Sequence, residues 1–262
     1  MKTEVLALIP ARGGSKSIPR KNVRPFAGHP LIAYSIAAGL AAQTITRVVV
    51  STDDEEIAAI ARSYGADTPF LRPVEYSQDD TPDLPVFQHA LAWLSEQEGY
   101  QPEIVVQLRP TSPLRHVEHI DQAVYRLLER PEADAIRAVC IPFQNPFKMW
   151  RIGADGFMRP LLENVWVGGA LCNEPYNMPR QALPDVYWQT GYVDAAWTDT
   201  LLTGNSMTGE RILPLMIDPS QWIDIDSPDD WRRAERMLEN GEISFNELGF
   251  TFSKQTTTRL TD

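Results

Sequence analysis

No apolar run in this 262-residue chain approaches the roughly 20 residues that a membrane-spanning helix needs. The opening MKTEVLALIPARGG has only a short apolar stretch, followed at once by charge and by no cleavage site. It reads as a first buried strand and not as a secretory signal. Cysteine is nearly absent. Cys140 and Cys172 are the only two, and they read as reduced thiols of a cytoplasmic protein, not as a disulfide framework. The four histidines, His29, His89, His116 and His119, form no ligand cluster with the cysteines, which argues against zinc. His116 and His119 lie three apart and read as part of a solvated helix start. No G-x-S-x-G elbow is present, so a serine hydrolase has no support. GxGxxG and Walker A spacings are also missing, which removes the Rossmann dehydrogenase and the P-loop readings. Positive charge is in deficit: 24 Lys and Arg stand against 35 Asp and Glu, for a net charge of −11. Such a chain is not a sequence-independent nucleic-acid binder, and neither nucleic acid nor membrane is expected as a partner.

The scarce positive charge is concentrated. Arg12, Lys16, Arg20, Lys21 and Arg24 fall within thirteen residues, interleaved with Gly13 and Gly14. They follow the apolar run Val5 to Ile9, which reads as a central parallel strand. Further buried strands are expected at 48–50, 104–108, 135–141 and 212–217. Helices are expected after Pro30, after a Thr52–Glu55 capping box, around Leu84 to Leu94, around Ile120 to Leu128, and after Ser227 with Pro228 in first position. This alternation predicts an α/β fold, a doubly wound and mostly parallel sheet with helices on both faces. Ligands of such sheets sit beyond the carboxyl ends of the strands, here the loops after Ile9, Val50 and Leu108. From 145 to 205 the helical periodicity fades and aromatics and prolines are dense. This stretch reads as a hairpin-rich extension of a single 1–262 domain. The tail KQTTTRLTD is expected to be polar and mobile.

Three segments carry candidate chemistry. In Ala11-Arg12-Gly13-Gly14-Ser15-Lys16 the glycines admit close approach of backbone N–H groups to an anion. Arg12 can fork two oxygens, while Lys16 and Lys21 add point charges. The physics alone says phosphate or another anion. In Asp224-Ile225-Asp226, alternate residues of a strand place two carboxylates on one face, able to share a magnesium ion with substrate phosphates. An aspartate here can equally serve only to cap the next helix. The segment Arg109-Pro110-Thr111-Ser112-Pro113-Leu114-Arg115 lies on the ligand side of a strand, stiffened by two prolines. It is either a rigid turn or a contact surface.

The stretch IPARGGSKSIPRKNVRPFAGHPLIAYSI resembles the N-terminal motif of the acylneuraminate cytidylyltransferase family, the CMP-sialic acid synthetases and their relatives. The resemblance continues in order through VVVSTDDEEIAAIARSYGA, RPVEYSQDDTPDLPVFQHAL, QLRPTSPLR, PRQALPDVYWQTGY and WIDIDSPDDW. The RGGSK form points away from the related ketodeoxyoctulosonate enzymes. The resemblance implies a Rossmann-like nucleotidyltransferase domain that dimerises through the extension. It implies transfer of CMP from CTP to the anomeric hydroxyl of an acidic 2-keto-3-deoxy sugar, with release of pyrophosphate and with Mg²⁺ as cofactor. By the same resemblance Arg12, Gly13, Ser15, Lys16 and Lys21 embrace the triphosphate, with Ala11 and Gly14 in the same loop and Asn22 beside the nucleoside. Arg72, Asp80 and Thr81 fall near the nucleotide. Arg180 and Gln189 face the sugar, and Asp224 and Asp226 hold the metal. Arg12, Lys16, Lys21 and Asp226 are the expected catalytic set.

Departures from the family pattern cluster on the acceptor side. Arg109 stands where sialic-acid enzymes usually carry glutamine. Thr190 replaces the asparagine of a typical Asn-Gly-Ala-Ile-Tyr segment, and Asp194 replaces its tyrosine. Arg109, Thr111, Ser112, Thr190 and Asp194 are therefore expected to shape the acceptor pocket, with Arg109 and Asp194 either pairing or reading an acceptor of different charge. The alternatives are a same-fold nucleotidyltransferase with another acceptor or nucleotide, and a non-catalytic nucleotide-binding module.

Overall fold

Val5–Pro10, the strand β1, is buried along nearly its whole length, and its neighbours align on it. The computed structural model describes residues 3–252, so the tail expected to be polar and mobile lies outside the described residues. After β1 come the short β2 (Pro25–Phe26) and β3 (His29–Pro30), then α1 (Leu31–Ala41), β4 (Arg47–Ser51), α2 (Glu55–Ser63), α3 (Asp83–Glu98), β5 (Ile104–Gln107), α4 (Val117–Glu129) and β6 (Ala135–Cys140). Two small hairpins follow, β7 (Trp150–Ile152) with β8 (Met158–Pro160), and β9 (Val165–Val167) with β10 (Ala170–Cys172). The chain then forms β11 (Trp188–Trp197), α5 (Thr198–Leu202), β12 (Ile212–Met216), α6 (Pro228–Glu239) and α7 (Phe245–Leu248).

Six strands form one sheet in the order β12-β6-β11-β5-β1-β4. β1 runs parallel to both β4 and β5, with Ile9 beside Val50 and Leu8 beside Gln107. Their carboxyl ends therefore open on one edge, where the loops beginning at Ala11, Thr52 and Leu108 emerge together. Alternation along β1 divides its side chains between two cores. Val5, Ala7 and Ile9 join residues of α1, α2, α4 and α6 on one face. Leu6 and Leu8 join Val86, Phe87, Leu91 and Leu94 of α3, with Leu201 of α5, on the other. Helices on both faces explain why the strand reads as a continuous apolar run.

Two compact units divide the described chain. One holds the residues up to Ala138 and from Thr190 onward, and the other is Val139–Gln189. Residues 190–205, expected in the extension, belong to the first unit. There β11 pairs antiparallel with β5, Asp194 opposite Gln107. Its run from Thr190 to Ala196 is buried, which a half-exposed hairpin would not show.

Local capping also departs from expectation. Asp54, not Thr52, caps α2, accepting a hydrogen bond from Ile57 N at 3.0 Å. The first turn of α6 is set by a capping box in which Ser227 accepts from Asp230 N and the Asp230 carboxylate accepts from Ser227 N. The same carboxylate takes the N–H of Asp226 at 3.2 Å, so this cap fixes where the acidic segment ends. Ser227→Ala should lower stability by about 1 kcal/mol, read as a lower urea midpoint at unchanged m-value. An unchanged midpoint would mean that the cap does not hold the segment.

Candidate active site

A cavity of about 500 Å³ opens at the carboxyl edge of the sheet. Its floor is the end of β1, and one wall is the loop that follows. Arg12, Ser15, Lys16, Lys21 and Asn22 of that loop all reach it. Gly13 lets the loop pass tightly over the start of α2. A Cβ added there would lie 2.6 Å from Asp54 Oδ2, whereas one added at Gly14 meets open space. Gly13 N donates to Asp53 Oδ1 at 3.0 Å, and the Asn22 side chain donates to the carbonyl of Arg12 at 3.0 Å. The loop is thus shaped by bonds within the first unit. Ala11 is buried beneath it.

Positive charge converges from a second direction. Arg72 is 5% exposed, donates to Ser77 Oγ at 3.1 Å and lines the same cavity. Burial lowers its pKa, a sign that a charge is held out of water and available to an anion. Asp79 bridges Arg12, at 2.7 Å, and Lys16. The Lys16 hydrogen bond, aided by Arg12, holds the Asp79 carboxyl below the usual range. Thr81 lines the cavity and Asp80 does not. Asp79, Tyr76 and Asp83 are further lining residues that the sequence reading did not single out. Adjacent carboxylates in a loop cannot be told apart before its turns are known.

The opposite wall carries Asp224 and Asp226. No strand forms there. The segment is irregular, with Ile223 and Ile225 buried on one side and the two carboxylates turned to the cavity. Its backbone is tied to the turn after β5 by Ile225 N, which donates to the carbonyl of Thr111 at 2.8 Å. Lys21 reaches across to donate to the carbonyl of Ile225 at 2.9 Å, and stands 3.2 Å from Asp226 Oδ1. Burial raises the pKa of Asp224, opposed by a hydrogen bond with Thr111. The Oδ1 atom of Asp224 is buried with no hydrogen-bond partner. A buried acceptor without a donor is costly unless a cation or water completes it, so this donor set suits a hard cation. Among the described residues no group of three or more His, Cys, Asp or Glu forms a metal cage. Two carboxylates, with the remaining positions left to substrate oxygens, are the usual provision for Mg²⁺.

The turn after β5 supplies Arg109 and Thr111 to the cavity, while Ser112 is buried behind them. Arg109 donates to Asp83 Oδ2 at 2.7 Å, and Gln107 donates to the same oxygen at 2.9 Å. Asp194 lies 3.4 Å from Nε of Arg137. Thr190 is buried and donates to the carbonyl of Ala138 at 3.0 Å. Arg180 and Gln189 belong to the second unit. There Arg180 donates to the carbonyl of Pro142 at 3.0 Å and lines a separate cavity of about 190 Å³. His119, expected to be solvated, is 8% exposed and lies 3.1 Å from the Tyr192 hydroxyl. Its place on the inner face of α4 was hidden by the charged residues around it. Cys140 and Cys172 are not joined in a disulfide.

A family model described as cytidylyltransferase matches residues 6–155, more than half of the chain. The chain is 33% identical over 238 residues to the CMP-N,N'-diacetyllegionaminic acid synthase of Legionella pneumophila, covering 90% of this chain and 96% of that one. It is 41% identical over 132 residues to the N-acylneuraminate cytidylyltransferase of Escherichia coli, covering 50% of this chain and 30% of that longer protein. A solved structure of a CMP:2-keto-3-deoxy-manno-octonic acid synthetase complexed with CTP superposes with a TM-score of 0.65 at 14% identity, over 92% of this chain and all of that one. At that identity the likeness speaks for the fold alone.

The two loop glycines should respond differently to substitution. Gly13→Ala forces a methyl against the Asp54 cap and should cost about 1–3 kcal/mol. Gly14→Ala should stay within about 0.5 kcal/mol. Denaturant unfolding of both variants checks this, and equal losses would contradict the tight approach at Gly13.

Proposed function

The chain belongs to the cytidylyltransferase family, and from that premise we propose that it transfers CMP from CTP to the anomeric hydroxyl of a nonulosonic acid, releasing pyrophosphate. One observation carries this reading. A single cavity sets Arg12, Lys16, Lys21 and Arg72 against the carboxylate pair Asp224 and Asp226. Nucleotidyl transfer requires charge neutralisation on a triphosphate together with a fixed line between the attacking and leaving oxygens. Arg12, Lys16 and Lys21 bind the phosphates. The backbone of Gly13 and Gly14 lets the chain approach them closely. Arg72 and Thr81 close the nucleotide side.

Asp224 and Asp226 would hold a magnesium ion, which when bound neutralises phosphate oxygens and acidifies the attacking hydroxyl. Lys21 keeps Asp226 oriented toward the loop. Arg109 and Thr111 orient the acceptor. Arg109 brings a cation where sialic-acid enzymes usually carry glutamine, which favours an acceptor sugar that offers a hydrogen-bond-accepting oxygen or negative charge at that point. The names of the two relatives suggest the acceptor class, an acidic sugar of the N-acylneuraminic or legionaminic kind.

A homodimer is part of the same proposal. Phe143, Ile152, Phe157 and Trp166 in the second unit are 68–88% exposed. Apolar side chains concentrated in this way mark an interaction surface. A cytoplasmic location belongs to the same proposal, resting on the low cysteine content of the chain; among the described residues no helix is long and apolar enough to cross a membrane.

With CTP and Mg²⁺, pyrophosphate release is expected with at least one of N-acetylneuraminate, legionaminate, pseudaminate and ketodeoxynononate, and not with ketodeoxyoctulosonate. Arg12→Ala and Asp226→Ala should each lower kcat/KM about a hundredfold or more while the circular dichroism spectrum stays unchanged. Near-wild-type turnover in either variant would mean that the substituted residue does not stabilise the transition state. Sedimentation should give twice the 29.5 kDa chain mass, and Phe143→Asp with Trp166→Asp should give the monomer. A wild-type chain that sediments as a monomer at micromolar concentration would refute the dimer.

A further inference from the structure

Arg115 is the largest fully buried side chain of the described residues, at 0% exposure. Burial lowers its pKa to about 10, and among the described residues no carboxylate lies within ion-pair distance of it. A buried guanidinium without an acid is expensive, and an apolar side chain of similar volume would fill the space at lower cost. The geometry of its donors accounts for its presence. Nε donates to the carbonyl of Tyr192 at 2.7 Å, Nη1 to Ser35 Oγ at 2.9 Å and Nη2 to the carbonyl of Arg109 at 2.8 Å. Its guanidinium also lies over the Tyr192 ring, 5.6 Å from the centroid.

The carbonyl of Arg109 is the focus. Besides Arg115 it accepts from Ser35 Oγ at 3.1 Å and from Ser112 N at 3.3 Å. The turn 109–112 is therefore pinned at its first carbonyl by donors from α1, from the turn itself and from Arg115. Two residues on, the carbonyl of Thr111 holds Ile225 N. What fixes Arg109 O thus also sets where the Arg109 guanidinium and the Thr111 hydroxyl enter the cavity.

We propose that Arg115 is a positioning residue for the acceptor sugar, acting with Ser35 through the Arg109 carbonyl, with no contact of its own to either substrate. This rests on the CMP transfer proposed for the cavity. The guanidinium fork makes three directed bonds at once. Lysine keeps the charge but cannot reproduce the fork. Among the described residues the loop after β1 and Arg72 make no bond to the turn, whereas the Asp224–Asp226 segment meets it through the Thr111 carbonyl, so disturbance of the turn falls first on Arg109 and Thr111 and less on the carboxylate wall.

The test compares Arg115→Lys and Ser35→Ala with the wild-type chain, by steady-state kinetics and by amide hydrogen exchange. Arg115→Lys should raise KM for the sugar acid and lower kcat, together costing about ten- to a hundredfold in kcat/KM, while KM for CTP, felt only through the Asp224–Asp226 segment, rises several-fold less than KM for the sugar acid. Ser35→Ala, which removes one donor without touching the buried charge, should shift the same parameters in the same direction by less. In both variants exchange should accelerate in peptides covering 108–116 and not in those covering 11–22. Equal rises in both KM values, unchanged kinetics with only a lower Tm, or uniformly faster exchange would each overturn the proposal. Should Arg115→Lys fail to fold, Ser35→Ala decides alone. Should the wild-type chain turn over none of the acids, the proposed CMP transfer fails, while the exchange pattern still decides the positioning role.

Discussion

The ammonium of Lys21 joins the two halves of the candidate site. It is 9% exposed, donates to the carbonyl of Ile225 and stands beside Asp226, so it ties the loop after the first strand to the acidic segment some two hundred residues later. A cation taken out of water is tolerated only where its donors are met, and here both partners lie on the opposite wall. The basic loop and the carboxylates are thereby held at a fixed separation. Without this bridge, two carboxylates facing a triphosphate would repel it. With it, the acidic wall presents a charge pattern that anion and cation can share.

That arrangement answers a problem set by composition. A chain with net charge −11 repels a polyphosphate at long range, so binding must come from a local concentration of positive charge. Arg12, Lys16, Lys21 and Arg72 supply it, and the protein's own carboxylates occupy part of it. Asp79 sits on Arg12 and Lys16, and Asp53 takes the N–H of Gly13. The pairs made by Asp79 are exposed, and exposed pairs contribute little. A triphosphate bringing several charges to the same cations displaces them at low cost. Arg72 is buried, and its nearest carboxylate, Asp53, stands 3.9 Å away.

The first strand, its loop and the parallel alternation that follows were legible because each is local: an apolar run, glycines and basic residues at close spacing. The Asp224–Asp226 pair was legible as two carboxylates on one side, but not as an irregular segment. Its conformation depends on Thr111 and Lys21, which are distant in sequence. The sheet position of β11 was missed for a related reason, since Thr190 and Gly191 open it with loop-like residues and its burial comes from β5. Asp79 escaped notice because adjacent aspartates are equivalent until the turns around them exist. Arg115 closes a motif that reads as polar, and only the packed structure shows that it faces inward.

The chain leaves its family's pattern at Arg109, Thr190 and Asp194, and each departure has its own partner in the structure. Arg109 is held by Asp83, which Gln107 also engages. Gly191, with φ at +66°, passes so near that an added Cβ would lie 3.0 Å from an Arg109 nitrogen. The positive backbone angle favours glycine there, and an added Cβ would also press on the end of the Arg109 side chain. Asp194, in the place of the family's tyrosine, lies beside Arg137 and does not line the candidate-site cavity. Changing Arg109 alone to glutamine would leave Asp83 with one fewer donor and would not restore a neutral acceptor wall. On the proposed CMP transfer, acceptor preference would reside in the coupled residues Arg109, Asp83 and Gly191 around one turn, and the nucleotide half could stay unchanged while that set varies.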